Sequence, residues 1–566
     1  MRKGKIADAN CLSLKIGKLL TETREKQLAG VNHKDIKRLW SSVRPTTSPK
    51  SREISSAIPF TANDMVGYFT EVATDSSYDS RFVENTINHL SHLCTTSIQP
   101  NKPPFLIYEY EVYKCLSRVK KTSPGSDNIP YWFLKHCAME LTPVVTHIVN
   151  LTLTQGKPPL HWKRAIITPV PKVSHPKSLS DFRPISVTPL MSRTVERIIV
   201  SKFILPVLPA DSLTDQFAYR PTCSTTAALV ALEHHVAHYL ESASYVRCLL
   251  IDFSKAFDSI NHPILFQKLL SLNLQPNIAS WICQFLTGRT HSVKLRGTFS
   301  EWMPITASIV QGSGIGPCLF IIYAMDLKPL SNFNTILKYA DDTTLLVPEY
   351  SSTPMQAELL HILEWSGKNK LIVNTAKTKE IVFHRPRLPT KLMPPLMPDI
   401  DRVDHAKILG VFFTCTLSPQ QHVNHLLNQC NQRLFLLSQL KQQSLPFEAL
   451  NTIFISLILC KITYALPAFA GHISTADKNR INKFFKKAHR RELVKQVFTI
   501  ETLIDKFDLQ LFRSISYTDH CLHHLLPEKR HHSMQLRPRG HNYTLSNIST
   551  TLFRNAFVNR CLFDIV

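Results

Sequence analysis

The stretch KYADDTTLLV (Lys338–Val347) places two adjacent carboxylates, Asp341 and Asp342, between short apolar segments. This pattern predicts a β-hairpin over residues 336–347, with its turn at the two aspartates. Adjacent carboxylates repel each other and are poorly solvated beside apolar strands, and a divalent cation relieves both problems. Turn chemistry by itself also explains the pair, because Asp is common at turns.

A third carboxylate ends an apolar run upstream. The segment VRCLLIDF (Val246–Phe253) is typical of a buried central strand, and Asp252 lies near its end. Two strands of one antiparallel sheet would bring Asp252 to Asp341 and Asp342. Three carboxylates are the ligand set for two Mg²⁺ ions about 3.5–4 Å apart, which activate a 3′-hydroxyl and stabilise a leaving pyrophosphate.

Glycine is scarce in this chain, with 15 in 566 residues, yet three glycines fall within QGSGIGP (Gln311–Pro317). Such a loop allows close backbone approach to a ligand, and we expect its N–H groups to face a nucleotide or template strand. A flexible hairpin loop is the alternative. The segment is neither a Walker motif nor a Rossmann fingerprint.

Two basic residues lie upstream in extended segments. Lys172 follows Pro171 at the end of a predicted strand, and Arg183 precedes Pro184. Lys and Arg on a hairpin suit the triphosphate of an incoming nucleotide. Solvated surface charge is the alternative for each of them.

Composition gives the class of protein and of partner. The net charge is +24 and 44% of residues are hydrophobic, which favours a folded protein with a polyanionic partner, nucleic acid first. The 13 cysteines include no CxxC pair, which excludes a zinc knuckle and suits a reducing compartment. The first residues lack an apolar signal segment, and the longest apolar run, Ile453–Cys460, stops at Lys461. We expect an intracellular protein that is not secreted and has no membrane span.

Periodicity predicts the remaining elements. A surface helix is expected over Ile16–Lys37 and a linker over Thr46–Ser56. Other predicted helices are Leu141–Leu153, Met191–Leu205, Ala227–Leu240, His262–Leu272, Ile278–Leu286, Pro317–Leu327, Val423–Leu440, Phe447–Cys460 and Asp477–Arg491. A strand is predicted over Ala165–Val170, a hairpin pair over Ser292–Leu295 and Trp302–Ile309, and a loosely ordered tail from His520 to Leu552.

Eight segments, taken in order, resemble a known family. They are TPVPK (168–172), DFRPIS (181–186), QFAYRPTCST (216–225), LLIDFSKAFDSI (249–260), QGSGIGP (311–317), YADD (339–342), LIVNTAKTK (371–379) and ILGVFF (408–413). Together they resemble the reverse transcriptases of non-LTR (LINE-type) retrotransposons of the jockey-like kind, over about residues 100–566. The chain departs from that pattern at Ser308–Val310, where the family usually has Gly-Val-Pro, and at Ala218 and Thr222, where it usually has glycine.

The resemblance implies an α+β, right-hand polymerase fold with fingers, an antiparallel-sheet palm and an all-helical thumb, between a helical N-terminal extension and a C-terminal region. The expected boundaries are an N-terminal extension, partly disordered, over 1–100, a pre-fingers segment over 101–152, fingers and palm over 153–414, a helical thumb over 415–510 and a basic C-terminal region over 511–566. About 100 residues precede the resemblance, too few for the endonuclease domain that many such elements encode upstream, so we expect a C-terminal part of a longer protein or a truncated copy.

The resemblance also implies roles for named residues. Asp252, Asp341 and Asp342 match the metal-binding aspartates, joined by the Phe253 carbonyl, and Asp341 is the more certain direct ligand of the pair. Phe257 matches the aromatic that excludes a ribose 2′-hydroxyl. The other matches are Gln311 with Gly312 beside the template and nascent base pair, Lys172 and Arg183 on the triphosphate, and Lys377 as general acid near the pyrophosphate.

The implied activity is RNA-directed DNA polymerisation with two Mg²⁺ ions, or Mn²⁺ in their place. The implied partners are an RNA template, a DNA primer and deoxynucleoside triphosphates, in a ribonucleoprotein of nucleus and cytoplasm. Two alternatives stay open. One is a catalytically decayed RNA-binding protein, for which the basic segment KFFKKAHRR (Lys483–Arg491) would serve equally well. The other is a group II intron maturase-like reverse transcriptase, which shares the palm.

Overall fold

The predicted elements can be compared with a computed structural model, which describes residues 59–96, 107–209, 211–386, 389–529, 541–545 and 547–564. The expected helix Ile16–Lys37 and the linker Thr46–Ser56 lie outside the described residues. The other predicted elements lie within them, apart from stretches of the C-terminal tail.

A five-stranded sheet carries the central strand that the apolar run predicts. Its order is β10-β9-β3-β8-β7, and every neighbouring pair is antiparallel except β10 with β9. The strands are β3 (Tyr245–Ile251), β7 (Thr335–Tyr339), β8 (Asp342–Pro348), β9 (Lys379–His384) and β10 (Asp401–Arg402). Strand β3 is buried because helices cover both faces of the sheet: Val246 and Cys248 face one core, and Leu249 and Ile251 face another.

The hairpin β7–β8 is confirmed, but its turn lies one residue earlier than predicted. Tyr339 pairs with Asp342, so Ala340 and Asp341 form the turn and Asp342 begins β8. Ala340 adopts a left-handed conformation with φ of 57°. A positive φ at the first central residue is typical of a two-residue hairpin connection whose twist matches the flanking strands.

A second sheet also has five strands. Two of them precede β3 in the chain, and three lie between β3 and β7. Its order is β2-β1-β4-β5, with β6 also paired to β4. The strands are β1 (Arg164–Pro171), β2 (Phe182–Val187), β4 (Arg289–Leu295), β5 (Thr298–Phe299) and β6 (Met303–Ile305). Strand β1 pairs with β4 only over residues 164–167, so Pro169 and Pro171 have a single neighbouring strand. That geometry tolerates proline.

Helices surround these sheets; α5 to α10 lie close to predicted positions, whereas α1 to α4 and α11 are not among the predicted helices. Before the first sheet's strands they are α1 (Ala62–Val72), α2 (Ser80–Thr96), α3 (Glu109–Ser117), α4 (Tyr131–His136), α5 (Ala138–Gln155), α6 (Leu190–Ile199) and α7 (Thr225–Tyr239). Between β3 and β9 they are α8 (His262–Leu270), α9 (Pro276–Leu286), α10 (Gly316–Ala324) and α11 (Met355–Lys368). The α6 helix continues as a π-helix over Val200–Ile204.

The part of the chain after the sheets is a hairpin, which is not among the predicted elements, followed by helices, which are predicted from Val423 on. The strands are β11 (His405–Ile408) and β12 (Val411–Thr414), and the helices are α12 (Gln420–Gln442), α13 (Phe447–Phe454), α14 (Cys460–Thr463), α15 (Thr475–Arg490) and α16 (Ile500–Ile515). On α15, Phe484 and Phe485 are buried, while Lys483, Lys486 and Arg490 are exposed. The two phenylalanines therefore belong to the core and the basic residues to the surface.

One segment of this helical region is apolar enough to be compared with a membrane span. The stretch Phe447–Ala468 contains an 18-residue window with a mean hydropathy of 1.7, and 44% of that window is buried inside the protein. Its buried residues, including Phe454, Ile458 and Ile462, pack in the core shared with α12 and α15. This packing accounts for the apolar composition.

The loosely ordered tail predicted over His520–Leu552 contains a short helical turn, His523–Leu525, in its described part, and two helices follow at its end. Helices α17 (Thr551–Asn555) and α18 (Phe557–Asp564) form there, and Arg560 of α18 makes an ion pair of 2.8 Å with Asp508 of α16. Both side chains are largely buried, so this pair fastens the end of the chain to the helical region.

Candidate active site

A cleft of about 680 Å³ lies between the two sheets. It is lined from β1 and β2 by Lys172 and Arg183, and from the β3 end and the β7–β8 turn by Asp252 and Asp341. The sequence-predicted residues that share this cleft are Lys172, Arg183, Asp252, Phe253, Phe257, Gln311, Asp341 and Lys377. Positive and negative groups from five separate segments therefore face one space.

A second cavity of about 440 Å³ adjoins the first. It is lined by Asp342, together with Lys379, Lys407 and Phe412 from β9 and the β11–β12 hairpin. Asp252 and Lys377 line both cavities. Asp341 lines only the first and Asp342 only the second, since consecutive residues at the start of a strand point to opposite faces.

The strand register explains why Asp252 is shared. Ile251 of β3 pairs with Thr343 of β8, so Asp252 follows directly beside Asp342, one residue past the strand. The backbone of Asp252 is held on its other side: its carbonyl accepts a 2.7 Å hydrogen bond from the Asn374 N–H, and its N–H donates to Thr378 Oγ1 over 3.4 Å.

Burial and neighbouring negative charge disfavour the ionised forms of Asp341 and Asp342. Burial raises the pKa of Asp341, and the negative charge of Asp252 raises it further, while Arg183 opposes the shift. Burial, then Asp341 and Asp252, raise the pKa of Asp342 to about 6. These shifts mean that the carboxylates would be stabilised by added positive charge.

The donor set fits hard divalent cations, because carboxylate oxygens are the ligands that Mg²⁺ prefers. The three aspartates are nevertheless not a ready-made group: within the described residues, no three His, Cys, Asp or Glu side chains are gathered closely enough to hold a metal ion. Asp252 and Asp341 are the pair that faces the larger cleft.

The two basic residues predicted for a triphosphate lie on one antiparallel hairpin. Arg183 of β2 pairs with Val170 of β1, and the Lys172 ammonium donates a 2.8 Å hydrogen bond to the Ser180 carbonyl. Burial lowers the pKa of Lys172, and the nearby Arg183 and Lys377 lower it further. Mutual repulsion among these cations favours an anionic ligand between them.

The two phenylalanines of the β3 loop have different surroundings. Phe257 stacks on the buried Phe320 with ring centroids 4.4 Å apart, and its partly exposed ring lines the cleft. Phe253 is buried and its ring meets Trp365 edge-on at 6.3 Å. Phe257 thus lies beside Asp252 on the cleft side, whereas the Phe253 side chain serves the core.

The prediction that N–H groups of the glycine-rich loop face a nucleotide or template strand is wrong for Gly314 and Ile315. The Gly314 and Ile315 N–H groups donate to the fully buried Glu196 carboxylate, over 2.6 and 3.2 Å, instead of facing a ligand. A Cβ on Gly312, which has φ of +111°, would lie 2.3 Å from the Ser186 carbonyl oxygen of β2. Gly312 therefore allows this loop to approach β2, a requirement of packing between segments.

Sequence reasoning missed three residues that shape the cleft. Tyr68 of α1 lines it and receives the Lys255 ammonium over its ring at 4.6 Å. Asp258 also lines it, with a pKa that burial raises to about 7. The Gln216 side-chain oxygen accepts a 3.1 Å hydrogen bond from the Ala340 N–H and so supports the turn that carries Asp341. Asp258 lies within the motif LLIDFSKAFDSI and could have been identified from it. Tyr68 of α1 lies far along the chain from every quoted motif.

Comparison with known proteins shows what the part of the chain that forms this cleft is similar to. The reverse transcriptase (RNA-dependent DNA polymerase) family matches residues 170–433. The chain is 25% identical over 452 residues to the probable RNA-directed DNA polymerase from transposon BS of Drosophila melanogaster, covering 76% of this chain and 48% of that protein. It is 26% identical over 276 residues to the RNA-directed DNA polymerase from mobile element jockey of the same species, covering 46% and 30%.

A solved structure of apo telomerase from Candida tropicalis, truncated from the C-terminal domain, aligns with 45% of this chain and 54% of its own, at a TM-score of 0.31 and 15% identity. The chain spans less than half the length of the two transposon relatives. The matched range contains the site residues from Lys172 to Lys377. Residues 170–433 thus match the reverse transcriptase family, and the chain is similar to RNA-directed DNA polymerases of the transposon BS and jockey elements over the shares given above.

Proposed function

We propose that this chain is an RNA-directed DNA polymerase that adds deoxynucleotides to the 3′-hydroxyl of a primer on an RNA template. The observation that carries the proposal is the cleft in which Asp252 and Asp341 lie opposite Lys172 and Arg183. A nucleotidyl transfer needs carboxylates beside the attacking hydroxyl and cations around the triphosphate, and this cleft offers both.

The chain's own residues have distinct tasks in this proposal. Lys172 and Arg183 bind the triphosphate, and Lys377 donates a proton to the departing pyrophosphate. Phe257 excludes nucleotides that carry a 2′-hydroxyl, by filling the space beside Asp252. Gln311 contacts the nascent base pair from the opposite wall of the cleft.

Asp252 and Asp341, with Asp342 and the Phe253 carbonyl, would hold two divalent cations. Bound there, Mg²⁺ or Mn²⁺ would activate the 3′-hydroxyl and stabilise charge on the leaving group. The raised pKa values of Asp341 and Asp342 support this assignment, because a cation would stabilise the ionised form of both carboxylates.

Primer extension on an RNA template, with deoxynucleotides and Mg²⁺, tests the function. The Asp341→Asn variant should lose extension and keep RNA affinity, since an amide oxygen replaces a carboxylate ligand poorly. Asp401→Asn, at an exposed position in β10, is the matched control and should extend like the parent. Equal extension by the parent and the Asp341 variant would refute the role of that carboxylate.

An inactive parent that binds RNA tightly would instead identify a decayed, binding-only polymerase. The surplus of 66 basic over 42 acidic residues supports RNA binding under either reading.

For the cell, we propose a ribonucleoprotein of nucleus and cytoplasm, with no secretion. Recovery of the tagged chain mainly in the culture medium, free of RNA, would contradict this location.

A further inference from the structure

Two segments that line the cleft run side by side. The Ile309 N–H donates to the Phe257 carbonyl and the Ser308 N–H donates to the Ile260 carbonyl, both over 2.9 Å. Ser308 begins the second segment with φ of 89°, and the segment continues to Gln311. The loop that follows β3 and the loop that carries Gln311 are therefore one structural unit.

The two segments are joined by side chains where they meet the cleft. The Gln311 Nε2 atom donates to both carboxylate oxygens of Asp258, over 3.1 and 3.2 Å. On its other side, the Gln311 carbonyl accepts a 2.9 Å hydrogen bond from the Ser186 N–H of β2. Gln311 is thereby held between the β3 loop and the second sheet.

We propose that Asp258 is a positioning residue, which fixes the amide of Gln311 so that its Oε1 faces the cleft as a hydrogen-bond acceptor. An ionised carboxylate accepts hydrogen bonds and donates none, so only the NH₂ end of the amide can face Asp258. The oxygen end is then left for a hydroxyl or amino group of the incoming nucleotide or of its paired base. This inference rests on the proposed polymerase function and adds to it a residue with no assigned role.

The groups around Asp258 are consistent with this role. Lys172 and Lys255 contribute positive charge toward its carboxylate, and Asp341 contributes negative charge. Asp258 lies within the cleft lining, yet its oxygens are engaged by a neutral amide. A neutral Asn at this position could present either end of its own amide, and the orientation of Gln311 would no longer be fixed.

A double-mutant cycle on the full chain at pH 8 tests the inference. Asp258→Asn should lower kcat/KM for deoxynucleotide by about tenfold, mainly through KM, because an acceptor to the nucleotide is misoriented. In the Gln311→Ala background the same change should alter kcat/KM by less than about twofold, since Asp258 acts through Gln311. Asp401→Asn again serves as the unaffected control.

Each other outcome has a defined meaning. Independent effects, with Asp258→Asn costing about tenfold in both backgrounds, would overturn the positioning role. Loss of activity that is accompanied by a lower melting temperature of Asp258→Asn would also overturn it, in favour of a structural role. An inactive parent would contradict the proposed function, and a change in Gln311 amide NMR shifts of the Asp258 variant would then still report on the contact; unchanged shifts would refute it.

Discussion

The Lys377 ammonium lies 3.8 Å from a carboxylate oxygen of Asp252, and both residues line the two cavities that meet at the end of β3. The loop that carries Lys377 is tied to the Asp252 backbone through Asn374 and Thr378. The ion pair therefore joins a candidate metal ligand to the candidate proton donor. Both side chains are substantially exposed, at 71% for Lys377 and 40% for Asp252.

Lys377→Gln should reduce the rate of primer extension in a single turnover by at least about a hundredfold, the low end for loss of a general acid. Its free energy of unfolding should change by less than about 1 kcal/mol, because exposed ion pairs contribute little. Rapid-quench kinetics and urea denaturation measure the two quantities. The exposed Lys368→Gln at the end of α11 is the control, and an equal rate loss there would remove the specific role of Lys377.

Phe257→Ala should increase ribonucleotide incorporation relative to deoxynucleotide incorporation, because the ring that lines the cleft beside Asp252 is removed. Phe257→Tyr keeps the ring and its stacking on Phe320, so it should retain the parental ratio. The measurement is the ratio of kcat/KM values for the two nucleotide types. If the ratio is unchanged in Phe257→Ala while stability falls by about 3–5 kcal/mol, Phe257 is a core residue only.

Asp258→Asn should stabilise the nucleic-acid-free protein at alkaline pH. Burial raises the folded-state pKa of Asp258 from 3.8 to about 7, so stability associated with this group is present below pH 3.8 and is lost as pH rises through 7. The variant should therefore match the parent near pH 4 and exceed it by up to about 4 kcal/mol at pH 8. Urea denaturation at several pH values measures this difference. A constant difference across that range would contradict the buried, titrating carboxylate.

Glu196→Ala should destabilise the glycine-rich loop and the protein with it. The Glu196 carboxylate accepts from the Gly314 and Ile315 N–H groups and from the Ser192 hydroxyl, and it is fully buried. Removal leaves these donors unpaired, at a cost of about 3 kcal/mol or more in the free energy of unfolding. The exposed Glu364→Ala should change stability by less than about 0.5 kcal/mol. Equal stability of Glu196→Ala and the parent would show that the loop is held by other contacts.

Lys483→Gln combined with Lys486→Gln should weaken RNA binding without a loss of stability. Both lysines are exposed on α15, next to the buried Phe484 and Phe485. If they contact phosphates, the slope of log affinity against log salt should become shallower by about 1–2. Fluorescence anisotropy over a salt series gives the slope. An unchanged slope would place the RNA on another basic surface.

Much of the site was predictable from the sequence, because local patterns encode it. Period and residue type identify β3 and the β7–β8 hairpin, and the strand-end aspartates follow from them. The segments quoted around Lys172, Arg183, Gln311 and Lys377 also identify residues that share one cleft. Each of these motifs lies within a few consecutive residues, so it can be identified from the sequence without the tertiary structure.

Tertiary structure decided which neighbour each of these residues faces. The register of β3 against β8 places Asp252 beside Asp342, and the approach of β2 explains Gly312. Tyr68 enters the cleft from α1, and Asp258 meets Gln311 across separate loops. The sequence alone determined the residue types and strand ends, because these depend on local propensity and period. Side-chain pairing was decided only in three dimensions, because it depends on strand register and on the packing of segments far apart in the chain.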